Sequence, residues 1–571
     1  MTNKDVALVL EHIADILELT GESRFKVIAY RRAADVVESL SQDINELADA
    51  EKLQKLPGIG AHTAERLEQL LKTGRMRYYE ELKLKVPPGL VELTKIRGLG
   101  PKTAVVLYEK LAITTVAELE EAINQHKIRD VKGLGAKTEE NIARNIEEME
   151  KHEERILLSE AYPVAMEILK QLREQPFVEA AEPAGSLRRM RRTIGDIDLL
   201  ASSRQPEKVM DFFTEIPQAL RVEAKGKTKS TIMHRSGRYV DLRVVVPEEY
   251  GSALQYFTGS KEHSVHLRGI AKDRGLKISE YGIFEVKTGQ RLGGRTEEEI
   301  YSELNLPVFD PEIREDKGEI ELAYEGRLPK LITLEDIKGD LHIHTKKSDG
   351  LNSMEEMVTK AKELGYSYIC ISDHSENLKV AGGLTVNELG KQIDYIKQFN
   401  KKEKNFRVLV GAELNIDNDG NVDYEDELLA QLDFVGASIH TGFNQSKEQL
   451  TNRIIKAIGH PHINLICHPT AEILNQRPAY QLDFPAIFKA AAGTGTILEL
   501  NSYPNRLDLR ADYLREAKRQ GVKIAINTDT HNYNHLDFMF YGVAIARRGW
   551  LEEGDVVNAW AIEKLLKFVG H

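Results

Sequence analysis

In the last 230 or so residues, short apolar runs rich in β-branched residues alternate with amphipathic helical stretches such as MEEMVTKAKELG (354–365) and AKRQGV (517–522). Six of these runs end in residue types that bind metals. They are GDLHIHT (His342, His344), ICISDH (Asp373, His374), VLVGAEL (Glu413), FVGASIH (His440), LICHPT (His468) and IAINTDTH (Asp529, His531). Strand alternating with helix predicts parallel strands whose C-terminal ends gather on one face, where barrel enzymes build their sites. A single histidine after a strand is more often a satisfied core or loop residue than a ligand. The same placement in run after run predicts instead a polynuclear metal centre of hydrolytic type. His460 and His462 precede their run rather than ending it, so they are read as surface residues.

Residues 1–150 carry a helical pattern with no convincing alternating strand. Three segments repeat one arrangement of an apolar residue, a Gly-x-Gly turn and a helix start: LPGIGAHTAERL (56–67), IRGLGPKTAVVL (96–107) and VKGLGAKTEENI (131–142). The glycine pairs are Gly58 and Gly60, Gly98 and Gly100, and Gly133 and Gly135; Lys102 and Lys137 follow the second and third. Glycine lets the chain turn tightly, and the next helix start presents free N–H groups to a phosphate. One such turn is usually only a helix–helix connection; three of them predict binding to a nucleic-acid backbone without base readout.

From about 155 to 310 the pattern becomes α/β. EPAGSLRRMRRTIGDIDLLASS (182–203) holds a Gly-Ser turn, four arginines and then Gly-Asp-Ile-Asp in a predicted strand. Side chains two apart on a strand share a face, so Asp196 and Asp198 are predicted to project together. A second strand, GRYVDLRVVV (237–246), brings Asp241. Three carboxylates on adjacent strands can clamp two divalent ions for phosphoryl transfer. Alone, Asp-x-Asp reads as a solvated strand edge; the preceding Gly-Ser-x-Arg-Arg adds donors for a triphosphate beside the metals. The segment 221–238, with six basic residues and one acid, is a candidate duplex-backbone surface or else a solvated hairpin.

At 571 residues the chain is too long for one core and should form three or more domains. Its 41% hydrophobic and 29% charged residues are ordinary for a globular protein, with no leader-like N-terminus and no membrane-length apolar run. The cysteines, Cys370 and Cys467, lie inside apolar runs and read as reduced core residues of a cytoplasmic, nucleoid-associated protein with no membrane partner. A net charge of −12 excludes a uniformly basic coat but not local basic grooves.

The middle motifs, with Tyr256-Phe257-Thr258-Gly259-Ser260, resemble the palm and thumb of family X DNA polymerases, the DNA polymerase beta type. The resemblance implies that Asp196, Asp198 and Asp241 hold Mg²⁺ or Mn²⁺, with Asp241 also activating the primer 3′-hydroxyl. It implies that Gly185, Ser186, Arg189 and Arg155 line the triphosphate, Tyr256 and Gly259 the incoming sugar and base, and Arg268 the template minor groove. The repeats resemble helix-hairpin-helix motifs, and AYRRAADVV (29–37) extends the likeness to the family's lyase region. One departure stands there. Where the family has its lyase nucleophile, a lysine, this chain has Arg66, which cannot form a Schiff base; Lys26 aligns with another lysine of that pocket.

The acidic, proline-punctuated stretch 305–340 reads as a connection, and beyond it the chain resembles the polymerase and histidinol phosphatase (PHP) domain, a distorted (β/α)7 barrel with up to three Mn²⁺ or Zn²⁺ ions. That likeness groups His342, His344, Glu413 and Asp529 about one ion, Glu413, His440 and His468 about a second, and Asp349, His374 and His531 about a third. The HPT motif continues as Ala471-Glu472 where the family has Gly-Arg, so Arg477 or Arg506 would have to supply the substrate-phosphate contact. The expected organisation is multidomain: helical lyase-like region (1–85), helix-hairpin-helix fingers (86–154), nucleotidyltransferase palm of α/β (α+β) type (155–245), thumb (246–315), linker (316–336) and PHP nuclease (337–571). The whole implies a monomeric repair polymerase acting with dNTPs on gapped or primed DNA, combined with a 3′-5′ exonuclease, and the PHP likeness also allows abasic-site cleavage. Two other readings are a PHP phosphatase tethered to DNA-binding modules and a DNA-end scaffold with an inactive polymerase half. The intact palm acids weigh against both.

Overall fold

The computed structural model describes residues 3–38, 44–49, 52–56, 59–87, 89–94, 96, 99–136, 138–140, 142–143, 146 and 155–570. The chain divides into two compact units, Met1–Glu154 and Arg155–His571. The first is helical throughout its described residues. Leu10, Ile13 and Leu17 recur at helical spacing on Asn3–Leu19 and are fully buried with Ala33 and Val37 of Arg24–Glu38. Gly60 and Gly100 are the N-caps of Ala61–Thr73 and Pro101–Leu111; neither helix has a side-chain cap, so their leading N–H groups face outward. In the third repeat the Thr138 and Glu139 amides donate to the Gly135 carbonyl, the pattern of a helix start. Gly58, Gly98 and Lys137 lie outside the described residues.

The second unit begins with a five-stranded mixed sheet. Its spatial order is Ala180–Pro183, Ile197–Ser202, Tyr239–Val245, Lys229–His234 and Ala219–Lys225. Leu158, Ile168, Leu172, Ile197, Leu199, Val240, Leu242 and Phe213 form the core between this sheet and its helices. The basic segment 221–238 folds as the hairpin at the sheet edge, and several of its cations are paired locally, as Lys225 is with Asp211.

The stretch read as a connection is built into the next core. Leu306, Phe309, Ile313, Ile320 and Leu331 pack with Leu267, Ile283 and Ile300. Arg314 is completely buried there, bonded to the Phe309 carbonyl and to Glu297, which also holds Arg188.

Seven parallel strands follow in sequence order, from Gly339–Ile343 to Ile524–Asn527. The His344 amide donates 2.9 Å to the Thr530 carbonyl, and Ile343 bridges Thr530, so the last strand returns to the first and the barrel nearly closes. Strands buried on both faces read as continuous apolar runs, which is why the sequence pattern found them. Among the described residues no helix is long and apolar enough to cross a membrane.

Candidate metal centres

In the mixed sheet, Asp198 and Asp241 stand opposite each other on the adjacent parallel strands Ile197–Ser202 and Tyr239–Val245. Asp196 is not in the strand; it sits exposed in the bend before it, because Thr193–Ile194 has left to pair with Ile156–Leu157. Thus Asp196 and Asp198 do not share one pleated strand face as the spacing predicted. The turn Gly185–Arg188 covers Asp198 so closely that a Cβ on Gly185, at φ +57°, would fall 2.5 Å from Oδ2. Only glycine fits.

Burial, then the charges of Asp196 and Asp241, push the Asp198 carboxyl up to about 6. Asp241 accepts bonds from Thr231 Oγ1 at 2.6 Å and Lys229 Nζ at 2.8 Å, which turn it aside. The three carboxylates are not among the sets whose ligand atoms all lie within 4.8 Å of one another. Three acids that raise one member's pKa by mutual repulsion are nonetheless the environment a divalent cation relieves, so the donor set fits one.

Of the donors expected for a triphosphate, Arg155 lies within charge range of Asp196, and the turn that holds Ser186 covers Asp198. Arg189 is buried, its Nε 3.1 Å from Glu315 Oε1 and its Nη1 bonded to the Thr258 carbonyl. A Cβ on Gly259 would lie 3.1 Å from that Nη1. Arg155 donates to Thr193 Oγ1 (2.9 Å) and Thr193 O (2.5 Å), and Ser186 lies in the Gly185–Arg188 turn. Tyr256 ends up on Tyr250–Thr258, edge-on to Phe257 at 5.1 Å. Arg268 lies on Lys261–Asp273, where its Nε donates to the Ser264 carbonyl.

The barrel centre is far denser. Glu413, fully buried, has five imidazoles about it: His374 and His468 at 3.0 Å, His342 and His440 at 3.4 Å, and His344 at 3.5 Å. His342, His344 and Asp529 converge, as do His344, Asp349, His374 and His531. His344 is thus shared between two of these groups. His468 and Asp529 take left-handed backbone at φ 28° and 50°, conformations that non-glycine residues adopt at some cost.

The donor chemistry fits divalent metals. His342 Nε2 and His344 Nε2 face each other at 3.0 Å, and the buried Nδ1 atoms of His344 and His468 have no hydrogen-bond partner. Burial and neighbouring His374 hold His344 down at about 3, so it is a neutral imidazole with a lone pair to give.

The sequence reading passed over Glu499. It is fully buried in the middle of Ile497–Asn501, accepting from His342 Nδ1 at 2.8 Å and from the His468 amide at 2.6 Å, so it orients two ligands. The signal was present, since ILELN is a seventh apolar run and holds a carboxylate between two leucines. Asp373 serves similarly, accepting from Thr345 and Ser348 and so fixing the loop after His344. Arg506 lies 3.7 Å from Asp529, and its buried Nη1 has no partner; Arg477 instead bonds the Ala471 carbonyl and covers Phe443. Glu472, the departure from the HPT pattern, is bound by Arg192 of the mixed sheet's arginine turn at 2.6 Å.

The chain is 40% identical over 572 residues to DNA polymerase/3′-5′ exonuclease PolX of Bacillus subtilis (strain 168), covering 100% of this chain and 99% of that protein. The chain belongs to the bacterial family X DNA polymerases that carry a PHP domain. The matching family models are a helix-hairpin-helix domain (1–76), a SAM-like helix-hairpin-helix tandem (90–148), a DNA polymerase beta thumb (253–315) and a PHP domain (340–483). Partial relatives meet in this one chain. DNA polymerase lambda of Rattus norvegicus is 24% identical over 55% of it and 56% of that protein, and a probable phosphatase of Syntrophotalea carbinolica (strain DSM 2380 / NBRC 103641 / GraBd1) is 32% identical over 28% of it and 65% of that protein.

Against the family's lyase pattern, Arg66 is committed elsewhere in this family X polymerase. It bonds the Tyr30 hydroxyl and its guanidinium lies over Tyr78, 3.5 Å from the ring centroid. Lys26 is exposed and paired with Glu22 at 2.9 Å, and that pairing raises its pKa, favouring the ammonium over the free amine.

Proposed function

We propose that this family X polymerase fills short gaps in DNA with its palm and trims 3′ ends with its barrel. The single observation that carries the reading is that one chain presents two separate, differently built centres: three carboxylates in the mixed sheet, one of them within charge range of Arg155, and a buried imidazole–carboxylate cluster. Asp196, Asp198 and Asp241 would hold Mg²⁺ or Mn²⁺, which when bound neutralises the triphosphate and the charge developing in transfer. Asp241 receives the proton of the primer 3′-hydroxyl. Ser186, Arg189 and Arg155 donate to the triphosphate oxygens and hold the leaving pyrophosphate in line. Tyr256 and Gly259 set the height of the incoming sugar and base, and Arg268 reaches the template minor groove. Gly58, Gly60, Gly98, Gly100, Lys102, Gly133, Gly135 and Lys137 would bind the DNA backbone, which positions the duplex without reading its sequence.

In the barrel, His342, His344, Asp349, His374, Glu413, His440, His468, Asp529 and His531 would hold up to three Mn²⁺ or Zn²⁺ ions, whose chemistry is to polarise water and neutralise a phosphodiester. Glu499 keeps His342 in the tautomer that presents Nε2 to the site. Arg506 offers its free Nη1 to a non-bridging phosphate oxygen, replacing the arginine absent from the HPT continuation. The reading is tested on a gapped duplex with and without dNTPs, in Mg²⁺ and in Mn²⁺. Primer extension with dNTPs and 3′ shortening without them support it. A chain that does neither, while folded and binding DNA, overturns it.

A further inference from the structure

We propose that the cleft between the mixed sheet and the barrel is a second anion site, built for pyrophosphate leaving the polymerase reaction. The cleft is a cavity of about 370 Å³ lined by Arg191, Arg192, Arg510 and Arg548, with Thr193, Asp512 and Ile545. Its cations come from both sides of the interface. Arg191 and Arg192 continue the turn that carries Arg189; Arg510 and Arg548 belong to the barrel.

The charges about this cleft are unevenly paired, and Arg191 is the least compensated of them. Arg189 and Arg191 each lie close enough to Arg155 and to Arg548 to repel them, which makes six arginines in one neighbourhood. Five carboxylates answer them: Glu315, shared by Arg189 and Arg548 at 3.1 and 2.8 Å, Glu472 on Arg192, Asp512 on Arg510 at 2.9 Å, Asp196 within charge range of Arg155 and Asp508 within charge range of Arg192, which leaves one positive charge over. Arg191 approaches Glu315 only at 3.9 Å. Arg548 is nearly buried, fixed by Glu315 and by the Arg189 carbonyl, so part of the cationic wall is rigid. Positive charge left over in a partly desolvated cleft favours a compact polyanion, and guanidinium forks match phosphate oxygens. The position selects which one. Arg189 and Arg155 are the donors assigned to the triphosphate, and Arg191 is two residues beyond Arg189. Pyrophosphate released there needs only to shift toward the barrel to meet four more guanidiniums.

This inference rests on the polymerase reading, but its test does not. The full chain is titrated with sodium pyrophosphate by calorimetry in EDTA, without DNA, nucleotide or divalent ion. Arg191 and Arg510 are about half exposed, so their removal leaves no buried partner stranded. The expected result is one-to-one binding that weakens about tenfold in Arg191→Ala and in Arg510→Ala. No binding, or binding indifferent to both arginine variants, overturns the site. So does tighter binding of a 12-nucleotide single strand through the same two arginines, which would give the cleft to DNA. Gap filling measured separately on the wild-type chain tells a failure of this site from a failure of the polymerase reading.

Discussion

Glu297 joins the arginine turn to the region beyond it, and its removal should open that junction. Its carboxylate takes Arg188 in a fork, Nη1 to Oε1 at 2.9 Å and Nη2 to Oε2 at 2.8 Å. On its other side it takes Arg314, whose Nη2 lies 3.1 Å from Oε2. Arg314 is completely buried and Glu297 only 8% exposed, so Glu297→Ala strands one guanidinium in the core and a second beside it. Breaking a buried pair in this way costs about 3–5 kcal/mol, far more than the worth of the same pair at a surface.

Acid should act on the same contact. Burial alone would raise the Glu297 carboxyl, but Arg314 and Arg188 hold it down at about 2, against an ordinary 4.5. A carboxyl lowered on folding stabilises the fold above its unfolded pKa and loses that contribution as pH falls from about 4.5 toward 2, on the order of 3 kcal/mol at 1.36 kcal/mol per unit. Hydrogen exchange followed by mass spectrometry on the intact chain reads the opening locally, at peptides spanning 183–191 and 253–263. The 3–5 kcal/mol predicts acceleration by roughly two to four orders of magnitude in Glu297→Ala, with barrel peptides unchanged. Acceleration below about tenfold would refute the reasoning, because the triad would then be solvated in solution.

Three further outcomes follow. DNA affinity should fall steeply with salt and hardly vary with sequence, since the outward N–H groups at Gly60 and Gly100 meet phosphates; a flat salt response in a binding titration counts against this. Borohydride should trap little or no covalent adduct on an incised abasic site, because Arg66 is a guanidinium held on Tyr30 and Tyr78; a strong adduct lost in Lys26→Ala would show that the activity survives on another amine. Arg506→Ala should cut 3′ hydrolysis by about 10²–10³ with ion content unchanged, as loss of one donor to a developing charge does; an unaltered rate with a full metal complement refutes its role.

Much of this was legible because parallel barrel strands are buried on both faces. Their apolar runs and polar ends survive as a one-dimensional pattern, from His342 through Asp529. Glu499 escaped because a carboxylate inside an apolar run, between Leu498 and Leu500, lacks the histidine that flagged its neighbours. Other features depend on partners that sequence spacing cannot supply. Arg314 lies in a charged, proline-marked stretch that reads as a linker, yet it is fully buried because Glu297 lies 17 residues upstream. Glu472 looked like a defect in the HPT motif until Arg192, 280 residues away, closed on it. Asp196 followed the two-residue rule on paper, but the preceding Thr193–Ile194 pairs with another strand and leaves it in a bend.

The claim that two separate centres share one chain is tested most directly by separation of function on a single gapped substrate. In Asp198→Ala, primer extension should vanish while Mn²⁺-dependent 3′ shortening continues at the wild-type rate. In the double variant His342→Ala with His344→Ala, shortening should vanish, barrel ion content should fall, and extension should persist. If either variant, still folded by circular dichroism, loses both activities in the same proportion, there is one centre and not two.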